Sequence, residues 1–253
     1  MGPIIAYNEK THEVRSGQVA APEGFGYWLL KFDGVSYSEN DSVTEIPRGI
    51  GNVEYAYYKM ASAAGIRMSE CRLLNDGDNN HFMTRRFDRG EHGEKIHMQS
   101  LAAIAHMDRD VRHSYEELMS IMRKLKMDEA SIKQMFRRAA FNVLACNNDD
   151  HTKNISFLMD ENGIWSLAPA YDLCFAHNPQ SQWINKHQMS INGKQEGITQ
   201  KDLLEFASKM DIRGAKDDLQ SVSDAVDSWK DFAKDCDVRK NHIAEIQKAL
   251  KEH

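Results

Sequence analysis

The apolar residues of this chain change their spacing near residue 90, and that change limits the folds open to it. Before it they come in short dense runs at 3–7, 25–32 (FGYWLLKF), 71–74 and 82–87, as buried strands require. The first two runs predict antiparallel strands, with Lys31 near the end of the second and turn formers and charges at 8–17 between them. The last two are joined by a polar turn at 75–80 (NDGDNN). Residues 40–51 are polar, carry Pro47 and two glycines, and read as a loop. One helix is expected in this part, over 53–64, with Asn52 as its N-cap and Gly65 closing it.

A charged stretch at 88–95 then separates a remainder whose apolar residues recur at helical spacing from Met98 onward. The division predicts a strand-rich part at 1–90 and a helical part at 91–253. Ser114 with Glu117 forms a capping box for a helix running to about Lys126. Asp128 opens another, with Ile132, Met135, Phe136, Ala139, Ala140, Val143 and Leu144 on one face. Residues 155–159 and 164–167 read as a hairpin around Asp160-Glu161-Asn162-Gly163. Thr199 with Asp202 opens a further helix, and Leu219, Val222, Val226, Trp229 and Phe232 stripe one more. These stripes are core rather than cofactor boxes.

Composition narrows the function classes. With 253 residues, 28.9 kDa and 41% apolar residues, the chain is an ordered protein of one large domain or two small lobes. Its 32 basic and 38 acidic residues leave a net charge of −6, so direct nucleic-acid binding is not expected from charge. The four cysteines form no C-x-x-C pair, which fits reduced thiols in a cytosol. There is no long apolar stretch and no secretory signal, so a soluble, cytoplasmic protein without membrane contact is expected.

One segment stands apart. Residues 147–154 (NNDDHTKN) place polar or ionisable side chains between an apolar helix and an apolar strand, where they need solvent, a ligand or a metal. Tyr171-Asp172 follows the hairpin and Pro169. This is the order used for phosphoryl transfer: a loop Asp that orients the attacking hydroxyl, an Asn five residues on and a later Asp that hold Mg²⁺ against the nucleotide phosphates. Asp149 takes the first role, and Asn154 and Asp172 the metal, since a hard cation prefers carboxylate and amide oxygens. Lys31 could reach the α/β-phosphates, with Glu54 orienting it through an ion pair. The alternative is a solvated loop in which Asp149, Asp150 and Asn154 cap backbone amides.

The segment NNDDHTKNISF, followed by LAPAYDL, resembles the catalytic and metal-binding motifs of the HipA-like serine/threonine protein kinases, the toxin kinases of bacterial HipBA-type modules. WLLKFDG, VEYAYYKMASAAGI and FMTRRFDR resemble the family's lysine strand, following helix and hinge-like strand, and the likeness runs from about Tyr7 to Met210. The D-x-H-x-x-N form is also similar to the catalytic loop of phosphoinositide kinases. The resemblance implies a two-lobed, protein-kinase-like α+β fold, with a small strand-rich N-lobe and a larger helical C-lobe.

It also implies ATP and Mg²⁺ as cofactors and transfer of the γ-phosphoryl group to a protein serine or threonine. Asp149 would be the catalytic Asp, with His151, Thr152, Lys153 and Asn154 lining the nucleotide and metal site. Asp172, preceded by Tyr171, would be the second Mg²⁺ ligand. Lys31 would bind the phosphates, Arg85, Arg86 and Phe87 would form the strand that meets the adenine, and Asp88 would reach the ribose. The substrate class would be aminoacyl-tRNA synthetases, and the partner a helix-turn-helix antitoxin. The chain begins at Met1-Gly2-Pro3, where the first strand starts, so the family's glycine-rich loop and N-terminal extension are expected to be absent.

That departure leaves a catalytically weak or inactive nucleotide-binding partner protein as the alternative. A small-molecule phosphotransferase of the aminoglycoside type shares D-x-x-x-x-N, but such enzymes usually carry His-Gly before the Asp, where this chain has Asn147-Asn148. No H-E-x-x-H or G-x-S-x-G motif occurs, and His92 and His97 lie in a charged loop, so zinc or serine-hydrolase chemistry has no support. Cys146 and Cys174 end apolar runs and are expected to be buried. Residues 187–194 read as a strand and a turn without chemistry, and the charges from Lys216 to Lys251 as solvated helix faces.

Overall fold

The computed structural model describes residues 2–39, 42–90, 93–108 and 111–252. Glu91 and His92, in the expected charged boundary, lie outside the described residues, as do Met1 at the chain start and Asn40-Asp41 in the expected loop. The strands are β1 (Ile4–Asn8), β2 (Val14–Ser16), β3 (Phe25–Lys31), β4 (Ser36–Glu39), β5 (Ser42–Glu45), β6 (Cys71–Asp76), β7 (Asn79–Arg85), β8 (His97–Ser100), β9 (His113–Ser114), β10 (Ser156–Met159), β11 (Trp165–Leu167) and β12 (Met189–Ser190). The helices are α1 (Ile50–Ala63), α2 (Leu101–Ile104), α3 (Tyr115–Lys124), α4 (Glu129–Leu144), α5 (Gln200–Lys209), α6 (Ala215–Asp227), α7 (Trp229–Asp235) and α8 (Lys240–Glu252).

Five strands form an antiparallel sheet in the order β2-β1-β3-β7-β6. Its own small core is Ile5, Tyr7, Trp28, Leu30 and Met83. Because successive strand residues point to opposite faces, Leu30 sits opposite Met83 in that core, and Lys31 sits opposite Phe82 on the other face. The ammonium of Lys31 lies 5.9 Å from the Phe82 ring. The helix α1 packs on this sheet but buries Val53, Tyr57 and Met60 in the large helical core with α3, α4, α6 and α7. Tyr57 meets the Trp229 ring at 5.2 Å and donates to the Ala145 carbonyl at 2.9 Å.

Several local expectations change. Asn52 is not the N-cap of α1, which starts earlier, after Gly49 in the left-handed region (φ 92°). The cap comes from outside the segment: the Asp33 carboxylate accepts from the Gly49 N–H at 2.8 Å and from the Gly51 N–H at 3.2 Å. Asn52 lies buried inside the helix, donating to the Cys236 carbonyl at 2.8 Å and accepting from Asn80 at 3.2 Å. The loop expected at 40–51 contains β5, paired antiparallel with β4, and the start of α1. The turn region at 8–17 contains β2, which β1 pairs as an edge strand.

Past residue 90 the chain is not helical from Met98: β8 pairs with β10 in a three-stranded sheet ordered β11-β10-β8. The stripe expected as one helix breaks at Ser228, whose hydroxyl donates back to the Asp224 carbonyl at 3.0 Å, and continues as α7. The capping boxes of α3 and α5 and the Asp128 cap of α4 form as expected. No helix among the described residues is long and apolar enough to cross a membrane.

Candidate active site

Lys31 ends β3 on the face that meets α1, and Glu54 sits on the first two turns of that helix. Their side chains meet at 2.8 Å. Asp172, in the left-handed region (φ 56°) after β11, forms a second ion pair with the same ammonium. A non-glycine residue held there is unusual, although Asp tolerates it better than most. Burial would lower the Lys31 pKa, but Glu54 and Asp172 outweigh it and hold the amine protonated. Burial would raise Asp172, and Lys31 reverses that, leaving the carboxyl below its ordinary value. Burial pushes Glu54 up, opposed by Lys31.

The polar segment after α4 divides into two sets. Asn147, Asn148 and Asp150 are buried and hydrogen-bonded within the protein, with Asn148 Oδ1 alone of their buried side-chain atoms left without a partner, so the expectation that the whole run faces solvent, ligand or metal is corrected. The Asn147 amide donates to Asn142 Oδ1 at 2.9 Å, and that of Asn148 to the Ile184 carbonyl at 3.1 Å. Asp150 accepts from the Tyr115 hydroxyl at 2.9 Å and the Gln188 N–H at 2.7 Å, with His187 Nδ1 at 3.2 Å. Sequence reading passed over Asp150 and His187 as chemistry, and no local signal separates Asp150 from its neighbour.

The second set faces outward. The Asp149 side chain is 49% exposed, with His151 Nε2 at 3.6 Å. Burial raises its carboxyl; the charges of Asp172 and Asp150 add to that, while His151 and Lys31 oppose it. A single turn of 3₁₀ helix over Thr152–Asn154 brings the Asn154 amide back to donate to the Asp149 carbonyl at 2.9 Å. That leaves Asn154 Oδ1 as an acceptor. The hydroxyl of Tyr171 donates to the Lys153 carbonyl at 2.8 Å and contacts Ser156 Oγ at 2.6 Å, which ties the turn to the Asp172 segment.

The expected hinge lies on the other side of Tyr171, whose ring is 5.5 Å from that of Phe87. The strand β7 ends at Arg85, short of Phe87. Exposed Arg85 contacts Glu70 at 3.3 Å, whereas Arg86 pairs with Asp88, and Arg89 reaches the same carboxylate at 2.8 Å. These two guanidinium groups overcome burial and hold Asp88 below its ordinary pKa. Asp88 is thus committed to arginines.

Lys31, Glu54, Asp149 and Asp172 all line one cleft of 840 Å³, within the range of small-ligand sites. Its reactive donors are an ammonium and carboxylate oxygens. Cys174 shares the wall, but burial raises its thiol far from the reactive range, and Cys146 is pushed up to about 12. Among the described residues, no group of three His, Cys, Asp or Glu side chains is gathered for a metal ion. The oxygen donors of Asp172 and Asn154 fit a hard cation that completes its shell from phosphate and water.

A family model for the HipA-like C-terminal domain matches residues 5–252. A Haemophilus influenzae protein described as "Putative kinase" is 27% identical over 159 residues, 56% of this chain and 46% of that protein. The chain therefore spans about half the length of that curated relative. Among solved structures, HipA of Shewanella oneidensis MR-1, in complex with HipB and operator DNA, superposes with a TM-score of 0.64 at 18% identity, over 93% of this chain and 65% of that one. CtkA, a Helicobacter pylori proinflammatory kinase, gives 0.50 at 13% identity, over 88% and 92%. At these identities the structures speak for the fold, and they bear out the kinase-like α+β architecture. With the model matched along nearly its whole length, the chain belongs to the HipA-like C-terminal domain family.

Proposed function

We propose that this protein is a Mg²⁺- and ATP-dependent serine/threonine protein kinase of the HipA type. The observation that carries the reading is the placement of Lys31 between Glu54 and Asp172 on the cleft that Asp149 also lines. Glu54 orients the Lys31 ammonium toward the α/β-phosphates, and Asp149 accepts the hydroxyl proton of the acceptor while orienting it in line with the γ-phosphorus. Asp172 and Asn154 would hold Mg²⁺, which when bound offsets the charge of the phosphate oxygens. His151, Thr152 and Lys153 border the same loop. Arg85, Arg86, Phe87 and Tyr171 flank the adenine side, with Asp88 bracing Arg86 rather than reaching the ribose.

In this reading residues 1–90 form the nucleotide-covering lobe and 91–253 the lobe that carries catalytic loop and metal. Family membership supports an aminoacyl-tRNA synthetase as the protein substrate. The Shewanella HipA, solved as a toxin-antitoxin system with HipB and operator DNA, supports an antitoxin partner and a toxin role; in the same reading that partner is a helix-turn-helix protein and the kinase acts in the cytoplasm.

Thermal unfolding with and without Mg²⁺-ATP tests the site. Ligand at about a hundred times its Kd should stabilise wild type by roughly 2.7 kcal/mol. Lys31→Met and Asp172→Asn should lose the gain. Asp149→Asn should keep it while losing phosphoryl transfer by about 10²- to 10⁴-fold. A wild type indifferent to Mg²⁺-ATP, or an Asp149→Asn variant that transfers at the wild-type rate, would overturn the proposal.

A further inference from the structure

Asp149 faces two cavities. One is the cleft shared with Lys31 and Asp172; the other, of 340 Å³, shares only Asp149 with it and is also lined by His151, Thr152 and Lys153 of the same loop. The apolar side chains of Ala102, Met107, Val111, Trp183 and Met189 line the second. Val111 and Trp183 are 57% and 56% exposed, large apolar side chains beside a charged loop.

The walls of this groove are held in register with Asp149. Its neighbour Asp150 grips the backbone N–H of Gln188 at 2.7 Å, and the Gln188 amide in turn donates to the Trp183 carbonyl. Met189 pairs in parallel with His113 through β12 and β9, and the His113 ring contacts the Asp108 carbonyl at 2.8 Å, just before the Val111 wall. One buried carboxylate therefore ties the Trp183 and Met189 part of the apolar wall to the residue that would meet the acceptor hydroxyl.

We propose that this groove receives the acceptor polypeptide, and that it selects a serine or threonine flanked by a bulky apolar side chain. The inference rests on the kinase reading, because with ATP in the Lys31 cleft the acceptor must reach Asp149 from the other cavity that it lines. The hydroxyl takes the polar floor at Asp149, and the neighbouring Leu-, Phe- or Met-like side chain covers Val111 and Trp183.

The test titrates the full chain calorimetrically with synthetic peptides that carry one serine flanked by Ala, Leu, Phe, Asp or Lys, and follows phosphoryl transfer to the same peptides. Leu- and Phe-flanked peptides should bind about tenfold more tightly than Ala-flanked ones. Val111→Asp, at an exposed position, should fold with an unchanged thermal midpoint and lose that preference. Equal binding of all flanks, tighter binding of the Asp or Lys peptides, or no binding of any peptide overturns the groove. Apolar preference without transfer sinks the kinase reading and keeps the groove, whereas transfer without preference does the reverse.

Discussion

Asp149 and Asp150 are joined by one peptide bond and lie in opposite environments: the first side chain is 49% exposed between two cavities, the second 0% exposed among Tyr115, His187 and the Gln188 backbone. A buried carboxylate beside an exposed one serves to hold the loop, since its hydrogen bonds fix the backbone from which Asp149 projects. Burying a charge without such partners would be strongly unfavourable.

Replacing Asp150 by Leu should therefore act on stability first. The Tyr115 hydroxyl and the Gln188 N–H would each lose a buried acceptor, at about 1–3 kcal/mol apiece. A total near 3 kcal/mol lowers Tm by roughly 6–12 °C for a chain of this size. Urea unfolding and a thermal scan of the variant check this; a Tm within a degree of wild type would show that Asp150 does not anchor the loop. Asp149→Asn, whose side chain makes no comparable buried bonds, should leave Tm nearly unchanged.

Asp33 links the two elements that carry Lys31 and Glu54. It lies two residues past the end of β3, its own N–H donates to His81 Nδ1 at 2.9 Å, and its carboxylate closes the N-terminus of α1 through Gly49 and Gly51. Asp33→Ala removes a cap and leaves buried donors unpaired, which should destabilise the fold by about 2 kcal/mol. Because Glu54 lies on the freed turn, the Lys31 ion pair loosens as well. Mg²⁺-ATP should then bind the folded variant several-fold more weakly, measured by calorimetry below its melting range. Unchanged affinity would show that α1 is positioned by its apolar face alone.

What could be read from the chain without coordinates was what neighbouring residues decide. Ser114 with Glu117, Thr199 with Asp202, and Asp128 cap their helices with partners three residues away, so spacing alone identifies them. Strand alternation likewise puts Lys31 and Leu30 on opposite faces. What escaped depends on distant partners. Asn52 has the composition of a cap, but Asp33, across the fold, takes that role. Residues 97–100 become a strand because β10 lies beside them, 156–159 in sequence. At the candidate site, Lys31, Glu54, Asp149 and Asp172 come together around one cleft, whereas the division of labour between Asp149 and Asp150 rests on Tyr115 and His187, 35 and 37 residues from Asp150.

Asp202 makes a prediction about pH that is independent of the active site. Its carboxylate accepts from Lys194 at 2.7 Å and from the Thr199 N–H and hydroxyl at 2.9 and 2.8 Å, and these bonds hold its pKa well below the usual carboxylate range. A carboxyl whose folded pKa is depressed contributes stability that is fully present above its unfolded value, near 3.9, and is lost as pH falls toward the folded one. Asp202→Asn removes that contribution at every pH. At pH 7 the variant should be less stable than wild type by about 1 kcal/mol, the size of a helix-capping interaction. Between about pH 4 and 2 the two unfolding curves should converge, because wild type loses there what the variant never had. Urea titrations of both proteins at pH 7, 5, 4 and 3 measure the gap; a difference that stays constant through the acid range would mean that the Lys194 and Thr199 contacts do not depend on the Asp202 charge.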